Sequence, residues 1–249
     1  MSGHNKWSTI KHKKGREDAK RGKIFTKLIK EITVAARLGG GDPDGNPRLR
    51  RAVDEARSNN MPNDNIDRAI KKGTGELEGV EYEELTYEGV GPDGTLVMVE
   101  VMTDNRNRTA AEVRKLFDKH GGQLGQSGSA GWAFDQKGVV RIAKEEATEE
   151  KLFEVAGGAG AEDLVLEDDT WVVTTVREEL DVVRDAVANA GIKVSEAKLE
   201  QIPKTDRILG GDDGRKCIEL LEVLDDHDDV SNVFSDFSPS DELLAELDD

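Results

Sequence analysis

The chain has 249 residues, of which 36% are hydrophobic and 35% charged, and its formal net charge is −17. This length accommodates two or three small domains, and no apolar run approaches the roughly 18 residues of a membrane span. The N-terminus lacks the apolar core of a signal peptide, and the single cysteine, Cys217, excludes an internal disulfide and a thiolate zinc cluster. These features predict a protein of the reducing cytoplasm with no membrane partner.

The N-terminal region predicts a flexible arm followed by three helices. Residues 1–15 are basic and lack a periodic apolar pattern, whereas apolar residues recur at intervals of three and four from Arg16 to Leu38. Asn46 and Pro47 begin a second helix, and a third short helix follows the turn formed by residues 59–64. The expected result is a three-helix domain.

The remaining sequence predicts two α+β units. Residues 85–90 and 95–103 form a hairpin, followed by a helix over 107–120 and a strand over 130–134. Residues 139–202 follow the β-α-β-β-α-β order of a ferredoxin-like sandwich. A helix over 214–224 and a strand over 230–234 supply what residues 82–135 lack for a second sandwich.

The predicted fold class is therefore multidomain α and α+β, with an N-terminal three-helix domain and two ferredoxin-like α+β domains, one inserted in the other. The predicted boundaries are a basic helical domain at 1–76, a discontinuous α+β domain at 77–136 and 203–240, an inserted ferredoxin-like domain at 137–202, and a frayed acidic tail at 241–249.

Charge is unevenly distributed along the chain. Residues 1–72 contain 18 Lys and Arg against 9 Asp and Glu, a net charge of +9, whereas the remaining residues contain 17 against 43, a net charge of −26. At physiological ionic strength, exposed charges more than about 8 Å apart are largely screened from one another. A basic N-terminal surface can therefore bind a polyanion although the whole chain is acidic.

A row of cations on the first helix is the strongest candidate site. The alternative is an ordinary solvated helix face, but such faces usually alternate acidic and basic residues, and this one holds almost no acid. The row also continues the cations of the arm. We therefore predict an open cationic ridge that follows a phosphate backbone. The ridge consists of Lys6, Lys11, Lys13 and Lys14 in the arm and Arg16, Lys20, Lys23, Lys27 and Lys30 on the helix.

Trp7, the arginines of the second helix and two arginines in a later loop extend this candidate surface. Trp7 either stacks on a base or ribosomal surface or anchors the arm on its own domain. The arginines of the second helix enlarge the basic surface, unless at least one pairs with the acids of the same helix, Asp54 and Glu55. These arginines are Arg48, Arg50, Arg51 and Arg57.

Arg106 and Arg108 lie in a loop whose asparagines cap the next helix, and a phosphate contact by these arginines is an open alternative. The segment from His120 to Ser129 is a plain connector or a loop that orders against a partner.

The sequence offers no catalytic constellation. Its glycine-rich segments lack the Gly-Lys-Ser/Thr of a phosphate-binding loop, and none of its four histidines lies in a motif with a nucleophile or paired carboxylate. His227 lies among aspartates that form either a weak cation site or, more readily, a solvated turn. We predict no enzyme activity, no metal, no cofactor and no small-molecule substrate.

Several motifs closely resemble the YebC/PmpR family, to which the mitochondrial translational activator of cytochrome oxidase also belongs. They are Met1–Ser8, Lys23–Lys27, Asn59–Pro62, Thr103–Thr109, Gly128–Ser129 and Trp132–Phe134. The resemblance runs essentially end to end. It implies a helical domain followed by two α+β domains, and a probable transcriptional regulator that binds DNA.

Other family members act in translation at the ribosome, including on proline-rich nascent sequences. By analogy, the family's positions in the arm and helical domain correspond to Lys6, Trp7, Lys11, Lys13, Lys14 and the turn at Met61 and Pro62.

The predicted function is a non-enzymatic, nucleic-acid-binding regulator of gene expression. Sequence-tolerant binding of ribosomal RNA or the ribosome suits the ridge better than base-specific reading of DNA, because no recognition helix presents Asn, Gln and Arg to base edges. The alternative is a protein–protein adaptor whose acidic α+β domains dock a basic partner.

Overall fold

The computed structural model describes the backbone of residues 17–248 and the side chains of residues 22–246. The helices are α1 (Glu17–Gly39), α2 (Pro47–Ser58), α3 (Asn63–Gly73), α4 (Arg106–Lys119), α5 (Glu149–Gly158), α6 (Leu180–Asn189), α7 (Gly211–Asp225) and α8 (Asp241–Asp248). The strands are β1 (Glu83–Val90), β2 (Leu96–Thr103), β3 (Gln123–Leu124), β4 (Phe134–Ala143), β5 (Ala161–Glu167), β6 (Thr170–Val176), β7 (Glu196–Pro203), β8 (Arg207–Leu209), β9 (Val230–Ser235) and β10 (Phe237–Pro239).

Helices α1, α2 and α3 form the predicted three-helix unit around one apolar core. The side-chain oxygen of Asn46 accepts a hydrogen bond from the Leu49 amide at 3.1 Å and so begins α2. A Cβ at Gly73 would lie 2.4 Å from the Thr33 carbonyl oxygen, so glycine allows the end of α3 to approach α1. Local periodicity predicted these helices correctly because each buries one apolar stripe.

The first sheet has the strand order β3-β1-β2-β9, with α4 and α7 packed on one face. The strand predicted over residues 130–134 is wrong, since residues Gly131–Ala133 form a 3₁₀ turn and β4 begins only at Phe134. Ala130 and Phe134 pack against Met98 on the other face of the sheet, and the amides of Ala130 and Gly131 donate to a side chain instead of a neighbouring strand.

The second sheet has the order β5-β6-β4-β7, all antiparallel, with α5 and α6 on one face. This is the strand order of the predicted ferredoxin-like sandwich. After β7 the chain returns through α7 to β9, which pairs with β2 of the first sheet. The second sandwich is therefore inserted in the first, as the order of predicted elements indicated.

The C-terminal segment corrects the prediction of a frayed tail over 241–249. Residues Asp241–Asp248 form helix α8, and Leu243 is 1% exposed within the core between α7 and the first sheet. The two acids at the start of α8 interact favourably with the helix dipole. A leucine buried in a core keeps an acidic helix in place. Among the described helices, none is long and apolar enough to cross a bilayer.

Candidate nucleic-acid interface

The lysines of α1 contact an acidic turn that connects α7 to β9. We call residues 225–229 the acidic turn. The Nζ of Lys23 lies 3.1 Å from a carboxylate oxygen of Asp226, and the Nζ of Lys27 donates to the main-chain oxygen of Asp225 at 2.6 Å. These lysines recur every three or four residues on one face of α1, so they contact successive acceptors of the acidic turn, which lies about 200 residues later in the chain.

Lys30 makes the most buried of these contacts. Its Nζ lies 2.7 Å from a carboxylate oxygen of Asp229 and donates to the main-chain oxygens of Asp228 and Met102. The residue is only 8% exposed. An ammonium whose donors are taken up in this way is not available to a phosphate.

Asp229 is the centre of a network that joins α1 to the first sheet and to α4. Its second carboxylate oxygen accepts hydrogen bonds from Arg108 at 2.6 Å, Thr109 at 2.7 Å and Thr103 at 3.3 Å. Burial by itself would raise the pKa of Asp229, but the hydrogen bonds from Lys30, Arg108 and Thr109 outweigh it and hold this pKa well below its usual value. The carboxylate is therefore ionised throughout the physiological range.

These contacts correct the expectation that the ridge is open along its length. Lys23, Lys27 and Lys30 lie against the acidic turn, and only Lys23 keeps a substantially exposed side chain. The physical reason is charge complementarity between the lysines of α1 and the aspartates of the acidic turn. The sequence had predicted that these aspartates form a solvated turn. Lys20 belongs to α1, but its side chain lies outside the described residues.

The predicted arginines of α2 also have internal partners. The Arg48 guanidinium donates two hydrogen bonds to the carboxylate of Glu31 on α1 and two more to that of Glu84 on β1. Arg51 donates to both carboxylate oxygens of Asp181 on α6, at 2.6 and 2.7 Å. The expected alternative, pairing within α2, occurs at Arg57, whose guanidinium lies 4.0 Å from a carboxylate oxygen of Asp54. The partners of Arg48 and Arg51 lie on other elements, so these two arginines join the helical unit to both sandwiches.

The possible loop contacts separate into buried and exposed residues. Met61 is 4% exposed and packs in the helical core, so its side chain is not offered to a ligand, whereas Pro62 is exposed at the start of α3. Arg108 is engaged by Asp229 and Asp104. The Arg106 side chain is exposed and forms no ion pair with any residue that the structure describes.

Exposed cations without a described ion-pair partner also occur on α3. They are Arg68, Lys71 and Lys72. Lys71 and Lys72 lie in the last turn, where cations interact favourably with the helix dipole. Arg37 at the end of α1 is also exposed and forms no ion pair with a described residue, although its guanidinium donates to the main-chain oxygen of Tyr82. These four described cations of the helical unit therefore remain accessible to a polyanion without breaking an internal ion pair.

His227 is part of the same network as Asp229 and is not arranged for a metal ion. Its Nδ1 accepts a hydrogen bond from the Asp229 amide at 3.1 Å, so the proton of the neutral ring lies on Nε2, 3.0 Å from a carboxylate oxygen of Glu112. Glu112, His227 and Asp229 lie close enough to share a cation. However, Arg108 and Lys30 already neutralise the Asp229 carboxylate, and a metal would have to displace them.

The loop from Gly125 to Gly131 is ordered around a buried carboxylate, which sequence analysis missed. Glu88 of β1 accepts hydrogen bonds from the amides of Gly128 at 2.8 Å, Ala130 at 2.6 Å and Gly131 at 2.7 Å. The loop presents Trp132 to solvent, 67% exposed. The sequence predicted β1 as a strand, but no local pattern indicated that Glu88 accepts hydrogen bonds from main-chain amides about 40 residues later in the chain.

The remaining predicted ridge residues lie outside the described part of the chain. They are Lys6, Trp7, Lys11, Lys13, Lys14 and Arg16.

Two family models together match most of the chain. The model described as the TACO1/YebC protein N-terminal domain matches residues 5–76, and the model described as the TACO1/YebC second and third domain matches residues 82–237. The chain belongs to the TACO1/YebC family. The resemblance drawn from the sequence motifs is therefore confirmed.

Bacterial relatives match this TACO1/YebC chain over nearly its full length. A protein of Desulfosudis oleivorans is 56% identical over 98% of this chain and 99% of its own, and one of Geobacter sulfurreducens is 55% identical over 99% and 100%. Both are named probable transcriptional regulatory proteins. The crystal structure of a conserved hypothetical protein from Aquifex aeolicus is 46% identical, with a TM-score of 0.85 over 91% of this chain and 94% of that one.

Glu88 is expected to control the order of the loop that carries Trp132 in this TACO1/YebC protein. Burial by itself would raise the pKa of Glu88, but the three amide hydrogen bonds hold this pKa below its usual value. The bonds thus contribute stability above the pKa of the unfolded chain, near 4.5, and this contribution is lost as the pH falls through the folded value.

Replacing Glu88 by Gln is expected to lower the free energy of unfolding by about 1.5–3 kcal/mol at pH 7, because one amide oxygen replaces a charged acceptor of three bonds. Urea unfolding measures the loss, and limited proteolysis within residues 125–131 reports the loop. Glu83 to Gln, at the exposed start of the same strand, is the control. Equal stability of the Glu88 variant and the wild type at pH 7 would contradict the assignment.

Proposed function

We propose that this protein is a non-enzymatic regulator of gene expression that binds the phosphate backbone of nucleic acid through its N-terminal arm. The observation that carries the proposal is the composition of the arm and Arg16, since residues 1–16 contain five Lys and Arg and no Asp or Glu. A segment of this composition binds polyanions by releasing their counterions, and it needs no particular base sequence to do so.

The ion pairs of the described residues support this division of roles. Lys23, Lys27 and Lys30 hold α1 on the acidic turn, and Arg48 and Arg51 hold α2 on the two sandwiches. These cations therefore position the helical unit. The arm, with Lys20 and the exposed cations of α3, makes the phosphate contacts.

RNA is the preferred target of this arrangement. Phosphate contacts position a protein on nucleic acid without reading its sequence, and the cations of residues 1–16, all lysines except Arg16, suit such contacts. Sequence-tolerant binding suits ribosomal RNA, and a role in translation follows. The relatives named probable transcriptional regulatory proteins support the broader regulatory role.

A salt titration of RNA binding tests the arm. Replacing Lys11, Lys13 and Lys14 by Gln is expected to weaken binding to a single-stranded RNA 12-mer and to reduce the slope of log K against log salt by about 2, since each phosphate contact to a single strand contributes about 0.7. Fluorescence anisotropy at several salt concentrations between about 50 and 200 mM measures the slope.

A matched control changes the same number of charges elsewhere. Lys115, Lys119 and Lys144 are exposed lysines outside the helical unit, and their replacement by Gln should leave the slope unchanged. If the arm variant and this control had the same slope as the wild type, phosphate contacts by the arm would be excluded.

The acidic inserted sandwich favours a second candidate function, that of a protein adaptor. Residues 137–202 contain 16 Asp and Glu against 8 Lys and Arg, and Phe153 on α5 is 71% exposed beside Glu149, Glu150 and Glu154. An exposed aromatic ring within an acidic surface suits a basic protein partner. A wild-type protein that binds no RNA at low salt would favour this candidate.

A further inference from the structure

Trp132 is an exposed aromatic side chain that phosphate binding by the arm leaves unexplained. Its indole Nε1 donates to the main-chain oxygen of Ser129 at 3.1 Å, so the single polar atom of the ring already has a partner within the loop. What the ring offers to a binding partner is therefore its apolar faces. Among the three tryptophans, Trp171 is buried and Trp7 lies in the arm.

The ring stands on a rigid support. The Glu88 carboxylate holds the amides of Gly128, Ala130 and Gly131, and Ala130 and Phe134 are buried beneath the loop. On the other side, the Nζ of Lys204 donates to the main-chain oxygen of Trp132 at 2.9 Å. A ring held in place in this way loses little conformational freedom on binding.

The surroundings of the ring favour a nucleobase over a protein surface. A tryptophan that anchors a protein interface usually lies at the centre of an apolar patch. Here the nearest exposed residues along the chain other than glycine, Gln126, Ser127 and Asp135, are polar. Lys204, which donates to the Trp132 main-chain oxygen, has a side chain that is 51% exposed. A base has apolar faces and polar edges, and its phosphate can approach the Lys204 ammonium, which Asp135 contacts from one side at 3.5 Å.

We propose that Trp132, with Lys204 beside it, is a stacking site for an unpaired base of single-stranded RNA. This inference rests on the proposed function and extends it from the arm to the first α+β unit. Stacking on an aromatic ring tolerates any base because every base has a π face. The site therefore agrees with sequence-tolerant binding, and it favours single strands, since paired bases are already stacked within a duplex.

Replacing Trp132 by Ala is expected to weaken binding to a single-stranded RNA 12-mer about 5- to 150-fold, the range that one stacked base represents. The salt slope should stay at the wild-type value, because no phosphate contact is removed. Trp132 to Phe keeps an aromatic face and should retain most of the affinity. Binding to an RNA duplex of the same length should change little in either variant.

Two further measurements make the test specific. Phe153 to Ala removes an equally exposed aromatic ring from the inserted sandwich and should leave RNA binding unchanged. The difference in emission between the wild type and Trp132 to Phe isolates the fluorescence of Trp132, which should be quenched when the single strand binds. Near-UV and far-UV circular dichroism verify that each variant is folded.

The outcomes distinguish this inference from the proposed function. Wild-type binding with a steep salt dependence, together with unchanged affinity in Trp132 to Ala, would overturn the stacking site and leave the arm as the nucleic-acid contact. Equal losses in the Trp132 and Phe153 variants would also overturn it. A wild-type protein that binds no RNA at low salt would overturn both proposals.

Discussion

Replacing Asp229 by Asn is expected to lower the free energy of unfolding at pH 7 by about 3–5 kcal/mol, because the change removes a buried carboxylate and leaves the buried Lys30 without its counter-charge. The Lys30 ammonium is almost fully enclosed, so water cannot replace the lost partner. Urea or thermal unfolding measures the loss.

The acidic turn supplies its own control. The Asp228 side chain is exposed, and only its main-chain oxygen contacts Lys30, so Asp228 to Asn makes the same chemical change at a neighbouring position without breaking the network. This variant should stay within about 0.5 kcal/mol of the wild type. Similar effects of the two substitutions would show that net charge of the turn, and not the Asp229 network, determines stability.

The destabilisation caused by Asp229 to Asn should depend on pH. The folded-state pKa of Asp229 is lowered, so its carboxylate contributes stability above the unfolded-state value near 3.8, and the contribution is lost as the pH falls through the folded value. The difference in stability between the wild type and Asp229 to Asn should therefore be constant near neutral pH and shrink in strong acid. We also expect α1 to be held less firmly against the first α+β unit in the Asp229 variant, because Lys30 makes the most buried of these contacts.

Replacing Arg141 by Met is expected to have an effect of similar size, about 3–5 kcal/mol, in the inserted sandwich. Arg141 lies between Val140 and Ile142, which pack beneath α5 and α6, so its side chain lies on the opposite face of the second sheet. There its guanidinium contacts Glu200 at 2.6 Å and Glu196 at 2.8 Å. Both Arg141 and Glu200 are buried, and removal of the arginine leaves an excess carboxylate in the sheet.

The network around Arg141 predicts a reversal of pH dependence. Burial by itself would raise the pKa of Glu200, but Arg141 and Lys198 outweigh it and lower this pKa in the wild type. Without Arg141 the burial effect prevails, and a group whose folded pKa is raised contributes stability at low pH that is lost as the pH rises. The deficit of Arg141 to Met should therefore be smaller at pH 5 than at pH 7.

Two controls accompany this variant. Arg177 to Met removes an exposed arginine of the same unit, which donates to Gln136, and should cost no more than about 0.5 kcal/mol. The double variant with Glu200 to Gln should be more stable than Arg141 to Met alone, since it removes the unpaired carboxylate as well. A double variant less stable than the single one would exclude the proposed cause.

Ion pairs of the helical unit bear on function because they fix its position on the two sandwiches. The Asp229 network fixes α1 against the first α+β unit, and the arm precedes α1 in the chain. Arg51 and Asp181 connect the helical unit to the inserted sandwich at a second point. These ion pairs therefore fix the described part of the helical unit relative to the first α+β unit, which carries Trp132.

Local structure followed from local sequence. Apolar residues at helical spacing predicted α1 to α3, and the order of elements over residues 139–202 predicted the second sheet, because burial of an apolar face decides each element separately. The same argument failed at Ala130 to Phe134, where apolar residues fill a gap beneath a loop and the amides bond to Glu88. Leu243 shows the opposite case, a single apolar residue that secures an acidic helix.

The sequence by itself determined the family, the fold class, the helices and most strands, and the separation of a basic N-terminal region from an acidic remainder. Only the tertiary structure decided which cations of the described residues are available to a ligand. The partners of Lys23, Lys27 and Lys30 lie about 200 residues away along the chain, and those of Arg51 about 130. Local periodicity places a charge on a helix face, but packing between distant elements determines which opposite charge faces it, because a Coulomb interaction depends on distance in space and on burial.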